Sequence, residues 1–360
     1  MPTIAFDSIL PHQLTRVVRR TLQDNATLGA AVALLVDGRA LLHTGVGFRD
    51  ATETTALVPD AQFYLYSITK TIVAIATLQL VDRGQLALDD VVHTYLPELP
   101  LDVPLTVRQL LNHTSGLPDY GGMPIYHQAV ADRPGDPWTP EQFLQQTLAN
   151  GLKYRPGEGW GYSNVGYLVL KLLIEQVTNA SLRQVLQEQI FAPLELQQTA
   201  VAETLEDTQS LTPGYSTLSS PDGSLHDVAS RYHPGWVSHG VVVSTAPELT
   251  RIFQALFDDQ LLPPALRQAM LVPVLVPGQH PLFHQPAYGL GVMIDPQSPY
   301  GSVVGHGGGG PGYSTAALHF QNVAGHGVVS VALANRDQPD LGLTIAFQLV
   351  DTLANELPTA

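Results

Sequence analysis

The chain contains no cysteine among its 360 residues. This absence excludes disulfide frameworks, thiolate zinc sites, iron-sulfur clusters and cysteine nucleophiles. Positive charge is also scarce, because 17 Lys and Arg side chains stand against 32 Asp and Glu, which gives a formal net charge of -15. A surface of that sign repels a phosphate backbone, so we expect no nucleic-acid partner.

Long apolar runs are missing as well. Hydrophobic residues make up 44% of the chain and charged residues 14%, a composition typical of a soluble globular protein with about two domains' worth of core and no membrane span. The first residues, Met-Pro-Thr-Ile-Ala-Phe-Asp-Ser, lack both the basic and the long apolar segment of a secretory signal. From the sequence as written we expect a cytoplasmic protein, or a periplasmic or secreted one if a leader has been removed.

Signals for a metal or a nucleotide cofactor are weak. The 13 histidines form no His-Glu-x-x-His pattern, and the pair His280 and His284 has no acidic residue near it in the sequence. Glycines in 307–312 fit Gly-x-Gly-x-x-Gly, but a strand rather than a helix is predicted after them. We therefore expect no metal and no cofactor, and a small molecule or short peptide as the partner. The sequence does not define the oligomeric state.

Apolar spacing predicts similar elements at both ends of the chain. The dipeptide Asp37-Gly38 suits a tight hairpin turn between two apolar runs. Strands are predicted at residues 30–36, 40–48, 302–306, 314–320 and 328–335, with helices at 9–22 and 341–357. Between these ends, helices are predicted at 71–86, 107–111, 140–149, 166–177, 182–190 and 246–257.

This order of elements predicts an α+β fold in which an antiparallel β-sheet, built from both chain ends, is flanked by helices. We expect a discontinuous sheet domain from residues 1–80 and 240–360, and an inserted, mainly helical domain from 81–239. A ligand site is expected in the cleft between them. Loops such as 123–138 and 212–236 would line that cleft.

One tetrapeptide, Ser67-Ile68-Thr69-Lys70, carries a chemical signal because the chain has only two other lysines, Lys153 and Lys171. Apolar residues after Ile68 continue as a helix, so Ser67 would lie in its first turn with Lys70 on the same face. An amine whose pKa is lowered by burial can take the proton of a serine hydroxyl. The alternative is an N-cap serine beside a solvated lysine.

A second group, Tyr162-Ser163-Asn164, lies between a turn-rich segment and an apolar helix. Near Ser67, Tyr162 could act first as a phenolate base and then as an acid to the leaving group, and Asn164 could hold both Lys70 and a substrate carbonyl. The alternative is an aromatic side chain that packs beside an N-cap. The third group, His306-Gly307-Gly308-Gly309, is expected at the end of a strand, where glycines allow a substrate backbone to approach closely.

With these three groups in order, the chain resembles the serine β-lactamase and penicillin-recognising D,D-peptidase superfamily, in its class C-like branch, where Tyr-x-Asn replaces the middle motif. The branch includes D,D-carboxypeptidases, D-aminopeptidases and esterases. The similarity extends through residues 63–70, 78–99, 105–120, 154–166, 240–249 and 288–291.

The resemblance implies a β-lactamase/transpeptidase-like fold and a serine hydrolase with an acyl-enzyme on Ser67. It implies that Lys70 and Tyr162 share proton transfer, that Asn164 orients the substrate, and that the third motif, including Gly308, binds substrate. The N-H groups of Ser67 and Gly309 would form an oxyanion hole. The expected substrates are D-amino-acid peptides or small esters. The alternatives are a β-lactamase or a penicillin-binding module without turnover.

The third motif departs from the commoner Lys-Thr-Gly form of the family, since His306 and Gly307 replace the lysine and the threonine. An imidazole with an ordinary pKa of about 6.5 is cationic only on the acid side of neutrality. We therefore expect His306 to attract substrate carboxylates less as pH rises. The alternative is a neutral His306 that only donates a hydrogen bond to Tyr162 or substrate.

Overall fold

The computed structural model describes residues 9–101, 103–218 and 224–357. Its strands are β1 (Gly29–Val36), β2 (Arg39–Gly47), β3 (Phe63–Tyr64), β4 (Ala200–Ala202), β5 (Tyr215–Ser216), β6 (His226–Asp227), β7 (Val241–Ser244), β8 (Val274–Leu275), β9 (Ala287–Tyr288), β10 (Met293–Ser298), β11 (Gly301–Gly310), β12 (Tyr313–Val323) and β13 (His326–Ala334). Eight of them form one antiparallel sheet in the order β2-β1-β13-β12-β11-β10-β9-β8, and smaller sheets have the orders β3-β7-β4 and β5-β6.

The α-helices are α1 (Ile9–Asp24), α2 (Thr69–Asp82), α3 (Val107–Leu111), α4 (Pro124–Asp132), α5 (Pro140–Leu148), α6 (Asn164–Thr178), α7 (Leu182–Leu186), α8 (Ala246–Phe257), α9 (Pro264–Met270) and α10 (Leu341–Glu356). A π-helical turn, Gln187–Phe191, continues α7. Side-chain caps fix the first residues of several helices. Thr106 and Thr139 form capping boxes at α3 and α5, and Thr245 caps α8. None of the helices in the described ranges has the length and apolar character needed to cross a membrane.

The large sheet has an apolar layer on each face. Along β1, side chains alternate between the two faces, as the period of a strand requires. Val32 and Leu34 face a layer that includes Leu14 of α1 and Val350 of α10, whereas Ala33 faces the layer of α2, α6 and α8. The expected α+β fold, with an antiparallel sheet built from both chain ends and flanked by helices, is confirmed.

Several elements predicted from the sequence agree closely with the structure. Asp37 and Gly38 both have positive φ, +47° and +73°, in the turn that pairs Val36 with Arg39. Helices α3 and α8 span the predicted residues. The helix predicted at 71–86 instead ends at Asp82, where Gly84 adopts φ +67°.

The structure differs from the predicted local structure at three places. The segment 123–138, expected as a loop, contains α4, whose first residue is Pro124. Residues 264–270 form α9, which was not predicted. The glycine tract after His306 belongs to β11 itself, which extends to Gly310. The division into domains at 80/81 and 239/240 remains a prediction.

Candidate active site

Ser67 lies in a 3-10 turn, Tyr66–Ile68, between β3 and α2. Ser67 thus lies two residues before the start of α2, whereas the sequence placed it within the first helical turn. Tyr66 holds an unusual left-handed backbone conformation, φ +47°, and its hydroxyl donates to the carbonyl of Pro311 at 2.5 Å. On the other side, the N-H of Leu65 donates to the carbonyl of Val242 in β7. The turn that presents Ser67 is therefore fixed by contacts with other parts of the chain.

Lys70 is completely buried in the first turn of α2. Its Nζ lies 3.1 Å from Ser67 Oγ, 2.7 Å from Asn164 Oδ1 and 3.2 Å from His239 Nε2. Burial lowers the pKa of Lys70 from 10.5 to about 7, although the nearby Asp119 carboxylate acts in the opposite direction. A large fraction of Lys70 is thus a neutral amine at neutral pH, so the alternative of a solvated lysine is wrong.

Tyr162 reaches Ser67 from the loop before α6. Its hydroxyl donates to Ser67 Oγ at 2.8 Å, and Ser163 caps α6 by accepting from the N-H of Gly166. Burial raises the pKa of Tyr162 above its ordinary value of 10. The expectation of a phenolate base is therefore wrong for the free protein, because this phenol stays protonated while Lys70 beside it loses its proton more easily.

The glycines of β11 bring this strand against the Ser67 turn. A Cβ on Gly308 would lie 2.1 Å from the carbonyl oxygen of Leu65, and one on Gly310 would lie 2.5 Å from the Tyr66 ring. A Cβ on Gly309 would meet nothing within 4 Å. Gly308 and Gly310 thus accommodate the protein's own chain, and of these three glycines only Gly309 has free space in the direction that a side chain would take.

His306 is buried on β11, with 2% of its surface exposed. Its Nε2 lies 2.8 Å from the hydroxyl of Tyr288. Burial, aided by the nearby Lys70, lowers the pKa of His306 to about 3. The expectation of a cationic His306 is therefore wrong, and its side-chain partner is Tyr288 rather than Tyr162.

Comparison with known proteins identifies the family of the chain. The sequence pattern of the Beta-lactamase family matches residues 14–353. The chain belongs to the beta-lactamase family.

Proteins similar to this chain include a penicillin-binding protein, an amidohydrolase and an amidase. A penicillin-binding protein of Bacillus subtilis (strain 168) is 29% identical over 333 residues, which are 88% of this chain and 70% of that protein. The structure of a D-stereospecific amidohydrolase from Streptomyces sp. is 28% identical with a TM-score of 0.78, covering 93% of this chain and 98% of that one. D-amino acid amidase from Ochrobactrum anthropi SV3 is 24% identical with a TM-score of 0.77, covering 96% and 97%, and shares the fold.

In this member of the beta-lactamase family, a cavity of about 590 Å³ lies over Ser67. Its walls include Asn164, His239, His306, Gly308 and Gly309, and aromatic side chains from Tyr66, Tyr120, Tyr126, Tyr232, Trp236 and Tyr313. Among the described residues that line it, no lysine or arginine is present, whereas Asp337 and Asp340 are. The described chain also holds no group of three or more potential metal ligands.

Several residues around the site of this beta-lactamase family member escaped the sequence analysis. Asp119 accepts from the N-H of Asn164 at 2.9 Å, and His113 accepts from the N-H of Ser163 through Nδ1 at 3.2 Å. His113 lies in the segment 105–120 that carries the resemblance, which was its only signal. His239 had none, because its contact with Lys70 joins positions 169 residues apart.

Proposed function

We propose that the protein is a serine hydrolase that cleaves an amide or ester bond through an acyl-enzyme on Ser67. The observation that carries this proposal is the convergence of two groups on Ser67 Oγ: Lys70 Nζ at 3.1 Å and the Tyr162 hydroxyl at 2.8 Å. A buried amine with a pKa of about 7 is suited to take a serine proton at neutral pH.

In the acylation step, Ser67 Oγ attacks the substrate carbonyl carbon as its proton passes to Lys70. Negative charge then develops on the carbonyl oxygen, and the N-H groups of Ser67 and Gly309 are the proposed donors to it. The open space beside Gly309 supports this assignment. As the bond to the leaving group breaks, Tyr162 gives its proton to the leaving nitrogen or oxygen. The Lys70 ammonium then gives its proton to the Tyr162 phenolate, which leaves Lys70 neutral, Tyr162 protonated and Ser67 acylated.

In the deacylation step, a water molecule takes the place of the leaving group. Lys70, neutral again, accepts a proton as the water attacks the ester carbonyl of acylated Ser67. As the ester bond breaks, the Lys70 ammonium gives this proton to Ser67 Oγ, which restores the Ser67 hydroxyl and releases the acid. Asn164 would hold Lys70 throughout through its Oδ1, at 2.7 Å from Nζ.

The charges of the cavity favour substrates without a carboxylate near the reacting bond. Burial keeps His306 neutral, and Asp337 and Asp340 are the carboxylates among the described lining residues. A free carboxylate, as in β-lactams and in peptides ending in D-Ala-D-Ala, would meet no lysine or arginine among the described residues that line the cavity. Together with the D-stereospecific amidohydrolase of Streptomyces sp., this supports D-amino-acid amides and small neutral esters as substrates.

A β-lactamase or penicillin-binding activity is the second candidate, and the relative from Bacillus subtilis supports it. One panel separates the two: kcat/KM for D-amino-acid amides and their L-isomers, D-Ala-D-Ala peptides, β-lactams and short-chain esters. We expect amides and esters to exceed the carboxylate-bearing substrates. Faster turnover of a β-lactam would support the second candidate.

The covalent step has its own test. Intact-mass spectrometry after treatment with a fluorophosphonate should show one adduct, located on Ser67 by peptide mapping and missing from Ser67→Ala. Ser302→Ala, on β11 away from the cavity, is the matched control and should label normally. An adduct that persists in Ser67→Ala would contradict the proposal.

A further inference from the structure

His239 is a buried histidine directly beside the proposed base. It is 1% exposed, and its Nε2 lies 3.2 Å from Lys70 Nζ. The segment that carries it is held in place, because Gly240 turns the chain with φ +84° into β7 and the N-H of Val242 donates to Thr69 Oγ1 at 3.0 Å. The contact therefore joins two parts of the chain whose backbones are already fixed to each other.

A count of protons at Lys70 Nζ defines what His239 can do. A neutral amine has two N-H groups and one lone pair, and the lone pair must face Ser67 Oγ if Lys70 is to accept its proton. The two N-H groups must then find acceptors at the remaining contacts, Asn164 Oδ1 at 2.7 Å and His239 Nε2 at 3.2 Å. This arrangement requires that Nε2 of His239 is unprotonated and that Nδ1 carries the hydrogen.

The other tautomer gives the opposite result. If Nε2 of His239 carried the hydrogen, it would donate to the lone pair of Lys70, and an N-H of Lys70 would face Ser67 instead. The amine would then be unable to act as a base. Within the described part of the chain, Nδ1 of His239 is buried without a hydrogen-bond partner, and the residue lines the cavity over Ser67.

We propose that His239 is a positioning residue: it accepts a hydrogen bond from Lys70 through Nε2 and so directs the lone pair of the amine toward Ser67 Oγ. The inference rests on the proposed function, since it assigns a role in the same acylation step. Its Nδ1-H then has no hydrogen-bond partner within the described part of the chain.

The charges around Lys70 determine the expected pH dependence. Burial lowers the pKa of each neighbouring histidine well below 6.5, so these rings are neutral at assay pH. The titratable groups that face Lys70 or His239 are Asp119, His113, His306, Tyr162, Tyr167 and Lys171. An acceptor at Nζ stabilises the ammonium more than the amine, so its removal should lower the pKa of Lys70.

Three variants test the proposal in the full chain. His239→Leu removes the acceptor, and His239→Gln replaces it with an amide oxygen. The control is His319→Leu, since His319 stacks on Phe257 at 3.8 Å beside a different cavity. The measurement is kcat/KM for a chromogenic neutral ester from pH 5 to 10, with thermal unfolding to confirm that each variant folds.

We expect His239→Leu to lower the plateau of kcat/KM by about 10- to 100-fold and to move its acid limb to lower pH. His239→Gln should restore the plateau to within about threefold and return the limb toward that of the original protein. The His319→Leu control should leave the limb in place. A merely structural role for His239 would lower the plateau without moving the limb, and that result would overturn the proposal.

Nuclear magnetic resonance of the unsubstituted protein labelled with 15N-histidine supplies a test independent of folding in His239→Leu. His239 should show the Nδ1-H tautomer at pH 8, and an Nε2-H tautomer would overturn the proposal. These experiments also distinguish failure of the proposed function from failure of the proposed role of His239. If the unsubstituted protein forms no acyl-enzyme on Ser67, the proposed function fails; if it does and His239→Leu acylates with an unchanged rate and limb, only the role of His239 fails.

Discussion

Replacing Asp119 with asparagine should move the pH dependence of acylation to lower pH. In the proposed acylation, only the neutral amine of Lys70 accepts the proton of Ser67, so kcat/KM should rise with pH and reach half its plateau near the pKa of Lys70. Burial brings that pKa from 10.5 to about 7, and the Asp119 carboxylate raises it. Removing the carboxylate charge therefore favours the neutral amine.

The sizes of these effects follow from the pKa values. An amine with a pKa of 10.5 is neutral in about one molecule in 3,000 at pH 7, whereas one with a pKa of about 7 is neutral in about half. Burial thus enriches the reactive form of Lys70 by about 1,500-fold, equivalent to about 4 kcal/mol. Loss of the Asp119 charge should shift the half-plateau down by about 0.5 to 1 pH unit.

The substitution Asp119→Asn is suited to this test because the amide keeps an oxygen for the hydrogen bond from the N-H of Asn164. Asp24→Asn makes the same charge change in a surface pair with Arg20 and should leave the profile in place. The assay is stopped-flow acylation by a neutral chromogenic ester between pH 5 and 10. A half-plateau above pH 9 in the unsubstituted protein, or an upward shift in Asp119→Asn, would refute the reasoning.

Three further predictions follow from the site. Tyr162→Phe and Lys70→Ala should each lower kcat by about 10²- to 10⁴-fold, and the double variant should be scarcely worse than either; additive losses in steady-state kinetics would indicate independent roles. Because His306 is neutral, the ratio of kcat/KM for carboxylate-bearing over neutral substrates should stay constant between about pH 5.5 and 8.5, and a steady fall with pH would mean that His306 is charged. Gly308→Ala should lower the free energy of unfolding in urea by about 3 kcal/mol. Gly309→Ala, whose methyl group meets nothing within 4 Å, should leave the free energy of unfolding unchanged. Equal losses in the two variants would contradict the close approach of β11 to Leu65.

The elements that the sequence predicted well are those with a strong local pattern. In α8, a capping threonine, an early proline and a long apolar stripe all act within twelve residues, and both ends agree. Helix α4 lies in a stretch with prolines at 124, 134 and 137, which is typical of a loop. Proline at the first helical position is compatible with a helix, so that signal was present but ambiguous.

The candidate site likewise contains features that a local sequence pattern predicts and features that it does not. Ser67 and Lys70 lie three positions apart, so local spacing could pair them, and the structure joins them at 3.1 Å. The neutral state of His306 and the position of His239 depend on burial by distant segments, which no local pattern records. Sequence could therefore name the candidate reacting groups but not their protonation states.

The pairing of β1 with β13 has a consequence for synthesis of the protein. The N-H of Gly29 donates to Asn335 Oδ1 across 306 positions, so β1 emerges from the ribosome long before its partner strand. At about 5 to 20 residues per second, that interval is roughly 15 to 60 s. Strand β11, which completes the Ser67 turn, also belongs to the late segment. The proposed hydrolytic activity would thus be among the last properties to arise during synthesis. Until β13 has been made, the hairpin of β1 and β2 has an unpaired strand edge, and this edge needs protection from aggregation.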